Sequence, residues 1–163
     1  MRRLKLRPGE ESEEKVAVRL DPFELGGQLY IASPEEPTAR LRIQRASTGT
    51  VFELEFTARL VGPCHRCLVD TVVEQHVHAR EYEDTKPETD EMRNPYLRAD
   101  VLDLTSWARD AVALDLPDVI LHDPTCAGLC PVCGKDLNVE PHVHEEKAGD
   151  PRWSALEELR DRL

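Results

Sequence analysis

The chain has 163 residues, with 21 Lys and Arg against 32 Asp and Glu, a formal net charge of −11. That length suits one ordinary core rather than two full domains, so a single domain over 1–163 is expected. The acidic balance argues against a general polyanion binder, whose phosphate contacts need Lys and Arg, and no uninterrupted apolar run is long enough to span a bilayer.

The start, Met1-Arg2-Arg3-Leu4-Lys5-Leu6-Arg7, is basic with no apolar signal-peptide core behind it, so a cytoplasmic protein is expected. Residues 15–20, 28–31, 38–44, 50–60 and 69–82 are runs rich in Val, Ile, Leu, Phe and Thr, separated by Pro, Gly and Ser, and they predict strands. The alternation is clearest where Val51, Glu53 and Glu55 interleave with Phe52, Leu54 and Phe56, which predicts one buried face. Ser47-Thr48-Gly49 reads as a hairpin turn, and Gly62-Pro63 ends the fourth run where the first cysteine pair begins. Cys64 and Cys67 are therefore expected in a loop between neighbouring strands.

Residues 81–94 are polar and acidic and predict a mobile loop. A helix follows, with Asp103 or Thr105 as its cap, Leu104, Trp107, Ala108, Ala111 and Leu114 as its apolar stripe, and Pro117 as its stop. Trp107 on that stripe reads as core rather than as a stacking platform. Residues 138–150 read as a linker to a second helix over 151–163, with Trp153, Leu156, Leu159 and Leu163 on one face and Pro151 in the first turn. The expected fold class is α+β, a mostly antiparallel sheet with two helices.

All five cysteines fall in Cys64-His65-Arg66-Cys67 and Cys126-Ala127-Gly128-Leu129-Cys130-Pro131-Val132-Cys133-Gly134. In a reducing compartment an odd number of paired cysteines points to metal ligands or redox groups rather than structural disulfides. A Cys-x-x-Cys turn directs two thiolates at one ion, so Cys64, Cys67, Cys130 and Cys133 form a natural four-thiolate zinc site. With 62 residues between Cys67 and Cys130, such a site is a long-range staple. The rival set is His122, Cys126, Cys130 and Cys133, which leaves Cys64 and Cys67 as a dithiol. His65, His76, His78, His142 and His144 read as surface or strand histidines. The enzymatic alternative is a thiol-disulfide oxidoreductase using Cys64 and Cys67, with His65 and Arg66 favouring the thiolate. Against it, the pair runs straight into Val69-Asp70-Thr71-Val72-Val73, a strand pattern where a thioredoxin-like motif would open a helix. No Ser/His/Asp setting, phosphate-cradling glycine loop or carboxylate pair marks another enzyme, and a non-catalytic protein is expected.

Residues 1–82 hold 12 basic and 13 acidic side chains, and residues 83–163 hold 9 and 19. An RNA face would belong to the first half, where Arg40 and Arg42 share one strand face with Arg45, Arg59 and Arg66 as neighbours. No interleaved aromatics suggest base stacking, so direct RNA contact is not favoured.

Four segments carry a resemblance. Cys64-His65-Arg66-Cys67-Leu68, Leu102-Asp103-Leu104, Gly128-Leu129-Cys130-Pro131-Val132-Cys133-Gly134-Lys135-Asp136-Leu137-Asn138, and Asp150-Pro151-Arg152-Trp153 with Leu156 and Leu159 resemble the bacterial YceD family, also called DUF177. The resemblance implies a cytosolic protein needed for accumulation of large-subunit ribosomal RNA, with no established catalytic activity. Together with the acidic second half, it leads us to expect a ribosomal protein or pre-ribosomal particle as partner. Many relatives carry a cysteine where His122 stands and some lack the Cys-Pro-x-Cys element, so the choice of ligand set stays open.

Overall fold

Residues 6–144 are described by the structure, a computed structural model. Its strands are β1 (Glu11–Ala17), β2 (Phe23–Leu25), β3 (Gln28–Ala32), β4 (Thr38–Arg45), β5 (Gly49–Pro63) and β6 (Asp70–Asp84), then a short β7 (Leu97–Arg98) and β8 (Val101–Leu102), followed by one helix, α1 (Leu104–Asp115). By its contacts the chain divides into two compact units, Met1–Cys126 and Ala127–Leu163. Among the described residues every member of the hydrophobic core lies at or before Ile120.

The first unit is built on β5. Its residues 50–55 pair antiparallel with β4, Leu60 and Val61 pair with β3, and the whole strand pairs with β6 from Gly49 opposite Asp84 to Pro63 opposite Asp70. β1 extends the sheet beyond β4 and β2 beyond β3, giving the order β1-β4-β5-β3-β2 with β6 along the other side of β5. Side chains two apart share a face, and Phe52, Leu54, Phe56, Ala58 and Leu60 are all 0 to 6% exposed. Each large one contributes about 1.5–3 kcal/mol of apolar burial. Gly62 continues this face, and a Cβ there would stand 2.3 Å from the Tyr30 ring and 2.8 Å from the Leu29 carbonyl. Glycine is required by that close approach, which also lets the Tyr30 hydroxyl donate to the Pro63 carbonyl at 2.8 Å.

Several strand boundaries differ from expectation by a few residues, among them the start of β1 and the end of β6. β1 begins at Glu11 rather than at 15, because Glu11 and Glu13 are held in register by Gln44 and Arg42 of β4. β6 runs on to Asp84, into the segment read as a mobile loop from 81. There Tyr82 lies opposite Val51 and covers Gly49, so cross-strand pairing outweighs the acidic composition. Later in that segment a single 3₁₀ turn spans Asp90–Met92 and Asn94 is buried.

The helix forms as its sequence dictates, with no Gly or Pro inside and three alanines favouring it. Asp103 is the cap, its carboxylate accepting the Ser106 N–H at 3.0 Å. Leu116 is extended, as the residue before Pro117 must be, and the helix ends. Trp107, Ala108 and Val112 are buried against the sheet, and Trp107 stacks on Tyr96 with ring centroids 6.2 Å apart. Leu114, expected on the stripe, is 88% exposed. It lies about 90° of helix rotation from the centre of the buried face, at 3.6 residues per turn. Among the described residues α1 is the one α-helix; the second, expected over 151–163, lies outside them. The α+β class with a mostly antiparallel sheet holds.

The Asp103 carboxyl is held below its usual pKa by the Ser106 N–H and hydroxyl. A depressed folded-state pKa gives stability that is present above the unfolded value near ~4 and is lost as pH falls through the folded one. Asp103→Ala is expected to cost ~1 kcal/mol at neutral pH. Urea titrations should show that deficit shrinking as pH falls below ~4 and the wild-type cap becomes protonated in its turn.

Candidate metal centres

The five cysteines and three histidines fall into two groups: Cys64, Cys67, His122 and Cys126 in the first unit, and Cys130, Cys133, His142 and His144 in the second. Within each group the potential ligand atoms all lie within 4.8 Å of one another.

The first group starts where β5 turns into β6. Cys64 lies two residues beyond Gly62 and so keeps the inward parity of β5. The turn then closes as a knuckle: the Cys64 N–H donates to the Val69 carbonyl at 2.7 Å and the Leu68 N–H to the Cys64 carbonyl at 3.0 Å. Leu68 adopts φ +63°, a left-handed conformation that costs an L-residue about 1–2 kcal/mol. The remaining ligands follow α1. The His65 N–H donates to the Ile120 carbonyl at 2.8 Å, and Ile120 is buried, so the post-helix segment is pinned to the knuckle. Asp123 accepts the Thr125 N–H at 2.7 Å in a tight turn, its carbonyl takes the Cys126 N–H, and Arg66 donates to the Cys126 carbonyl at 2.8 Å.

These donors fit a tetrahedral ion. Two sulfurs each ~2.3 Å from one zinc stand ~3.8 Å apart, and the Cys64 and Cys126 sulfurs are 3.8 Å apart. The Cys67 sulfur and His122 Nδ1, at 3.1 Å, are tighter than the ~3.6 Å that shared zinc coordination sets, so this pair parts slightly on binding. Burial pushes the Cys64 thiol up, but the N–H groups of Cys67, His122 and Arg66 and the His122 ring outweigh it, leaving the pKa lowered to about 5. Cys67 moves the other way, to about 11, through burial and the neighbouring Cys64 and Cys126 thiols. Of these two thiols Cys64 is the one more ready to ionise, and a bound cation would favour the thiolate of both.

The second group repeats the knuckle. The Cys130 N–H donates to the Lys135 carbonyl at 2.8 Å and the Gly134 N–H to the Cys130 carbonyl at 2.8 Å, with Gly134 at φ +74°. An isolated bridge between Leu129 and Asp136 and a Leu137 N–H to Gly128 carbonyl bond turn the chain back. The N–H groups of Cys133 and Val132, against desolvation, hold Cys130 down at about 6. His142 is pushed up by its bond to the Glu140 carbonyl and by Cys130.

The structure therefore brings Cys64 to Cys67 and Cys130 to Cys133, but distributes the expected four-thiolate set over two groups of mixed sulfur and nitrogen donors. His122 and Cys126 join the first pair, where the rival reading had them beside Cys130 and Cys133. His142 and His144, read as surface histidines, join the second pair. Their signal was a His-x-His pair beginning nine positions after Cys133. His65, His76 and His78 belong to neither group. Of the proposed RNA contacts, Arg40 pairs with Glu55, Arg42 contacts Glu11 at 3.2 Å and Glu13 at 3.0 Å, and Arg66 is engaged at Cys126. No helix among the described residues is long and apolar enough to cross a membrane.

A family model described as "Large ribosomal RNA subunit accumulation protein YceD" matches residues 52–160, which include both ligand groups. The chain belongs to the YceD family. It is 37% identical over 125 residues to uncharacterized proteins of Mycobacterium tuberculosis and Mycobacterium bovis, covering 73% of this chain and 59% of theirs. An uncharacterized protein of Mycobacterium leprae is 34% identical over 127 residues, covering 73% and 57%. The chain thus spans less than two thirds of the length of these relatives. No solved structure matches it.

The knuckle geometry makes a specific demand at Leu68, whose side chain is largely exposed and contributes little packing. Leu68→Gly should keep stability within ~1 kcal/mol of wild type, because relief of the left-handed strain offsets the added freedom of the unfolded chain. Leu68→Val should cost ~1–3 kcal/mol, since a β-branched residue tolerates positive φ poorly. Thermal melts of the two variants check this.

Proposed function

We propose that this protein is a non-catalytic, zinc-binding factor in accumulation of large-subunit ribosomal RNA, working in the cytoplasm through a ribosomal protein or pre-ribosomal particle. Family membership supports the process. The observation that carries the metal reading is the quartet Cys64, Cys67, His122 and Cys126, converging from the β5–β6 turn and from the segment after α1. When bound, zinc supplies a crosslink between these two segments, 54 residues apart in sequence between Cys67 and His122. This keeps the idea of a long-range clasp while changing its far ligands.

Burial of the thiols supports the non-catalytic reading over the oxidoreductase. Cys64 is 0% and Cys67 5% exposed, whereas thiol-disulfide exchange needs an accessible attacking thiolate. The arginine pairings support a protein-directed role. Exposed ion pairs add little stability, about 0–1 kcal/mol, but they cancel the local positive charge that phosphate binding needs.

Cys126→Ser should release the zinc of this quartet, lower the melting temperature of the full chain, and reduce large-subunit ribosomal RNA when it replaces the wild-type protein in cells. Retention of the wild-type metal content in Cys126→Ser would sink the quartet. Insulin-reducing turnover that disappears in Cys67→Ser would establish the oxidoreductase instead.

The purified protein should bind single-stranded and duplex RNA weakly, with a shallow salt slope. Arg40→Glu/Arg42→Glu should change that little, because both arginines already face glutamates. Tight, steeply salt-dependent binding that this double variant abolishes would make the strand face an RNA site.

A further inference from the structure

The first quartet leaves Cys130, Cys133, His142 and His144 unused. We propose that these four residues hold a second, independent zinc ion, and that this ion fixes the fold of residues 127–144. The proposal does not rest on the first site, since all four ligands lie in the second unit.

Three observations carry it. The first is the knuckle itself, whose backbone bonds match those at Cys64 and Cys67 and present both sulfurs to one side of a tight turn. The second is the state of His142. Its Nδ1 lies 2.7 Å from the Glu140 carbonyl, which can only accept, so the ring proton sits on Nδ1. Nε2, the other ring nitrogen, faces the Cys133 sulfur at 3.1 Å. Ligating histidines are fixed in this way, with the second ring nitrogen donating to a carbonyl or carboxylate. The His144 ring meets that of His142 edge-on, with centroids 4.9 Å apart, and its own nitrogen falls within the 4.8 Å span of the group.

The third observation is how little apolar burial the described residues of this segment have. Among residues 127–144 only Gly128 and Cys130 are buried, while Val132, Val139 and Val143 are 68%, 75% and 96% exposed. The Leu137 to Gly128 bond and the Ala127 N–H to Asn138 Oδ1 bond at 2.8 Å shape the loop. A few such bonds, each exchanged for one with water, do not offset the entropy of ordering the segment. A metal crosslink would supply what apolar burial within these residues does not, and two thiolates with two imidazoles make a borderline-soft tetrahedral set suited to zinc rather than to calcium or magnesium.

The test uses the full chain under reducing conditions and reads zinc by elemental analysis. Wild type should hold two zinc ions, and Cys126→Ser and Cys133→Ser one each, lost from different sites. Cys133 is exposed, so its replacement leaves the core of the first unit intact. In the cobalt-loaded protein, thiolate-to-metal charge-transfer absorption should fall by about two fifths in Cys130→Ser/Cys133→Ser, which removes two of five thiolates. His142→Ala should lose the second ion and His142→Cys should retain it. Amide exchange over residues 127–144 should accelerate in Cys133→Ser while that of β5 stays unchanged. One zinc in wild type that Cys133→Ser retains, or two zincs retained in Cys133→Ser, would overturn the second site without touching the first. Loss of metal only in Cys126→Ser bears on the first site and likewise refutes the second.

Discussion

A 15-residue strand with neighbours on both edges cannot slip by one residue without turning its buried set to solvent. In β5 that set is Phe52, Leu54, Phe56, Ala58 and Leu60. At about 1.5–3 kcal/mol for each of the four large side chains, the wrong register would sacrifice ~6–12 kcal/mol, as much as the net stability of a typical domain. The same parity carries past Gly62 to Cys64. Core packing and ligand placement are therefore one constraint, and the sulfur of Cys64 faces inward because Phe52 does, twelve residues earlier. Tyr30 reinforces this end of the strand by crossing over Gly62 to the Pro63 carbonyl.

The two knuckles share one backbone solution reached with different residues. Each has a cysteine N–H donating five positions ahead and the N–H of the fourth following residue returning to the cysteine carbonyl. That fourth residue is left-handed in both, Leu68 in one and Gly134 in the other. Glycine takes the conformation without penalty, whereas leucine does not. The first unit has a hydrophobic core to hold a strained turn in place, with Ile120 and the His65 backbone locking it from below. Residues 127–144 contribute nothing to that core, and there the unstrained residue is used.

Much of the fold was legible because β5 and α1 each follow one period without conflict. Phe52-Glu53-Leu54-Glu55-Phe56 admits one reading, and Asp103 before an alanine-rich apolar stripe admits one start. The ends of β1 and β6 were not legible, because Glu11, Glu13, Glu81 and Glu83 have the composition of a loop and are strand only through partners across the sheet. β2, β7 and β8 are two or three residues long, too short for any period to show. The cysteines were legible as clusters of potential ligands, but their grouping was not. Spacing offers two equal corners, and what divides them is the path of the chain. The β5–β6 turn is tied to Ile120, which leaves His122 and Cys126 beside Cys64 and Cys67, while the chain after Cys133 folds back through Asp136 and Asn138 to supply His142 and His144.

Charge narrows the kind of partner these features suit. On the outer face of the sheet Arg40 and Arg42 are matched by Glu11, Glu13, Glu53 and Glu55, so the strand that carries the most basic residues presents a mixed surface. Metal loading does not relieve the acidic excess. Three thiolates around a divalent ion leave one negative charge, and two thiolates with two imidazoles leave none. A chain with formal charge −11 from its Lys, Arg, Asp and Glu therefore stays strongly acidic when both quartets are filled. Long-range attraction then favours a basic protein surface over exposed phosphate. Under the function proposed above, that preference would direct the chain toward the basic protein component of a pre-ribosomal particle rather than its RNA.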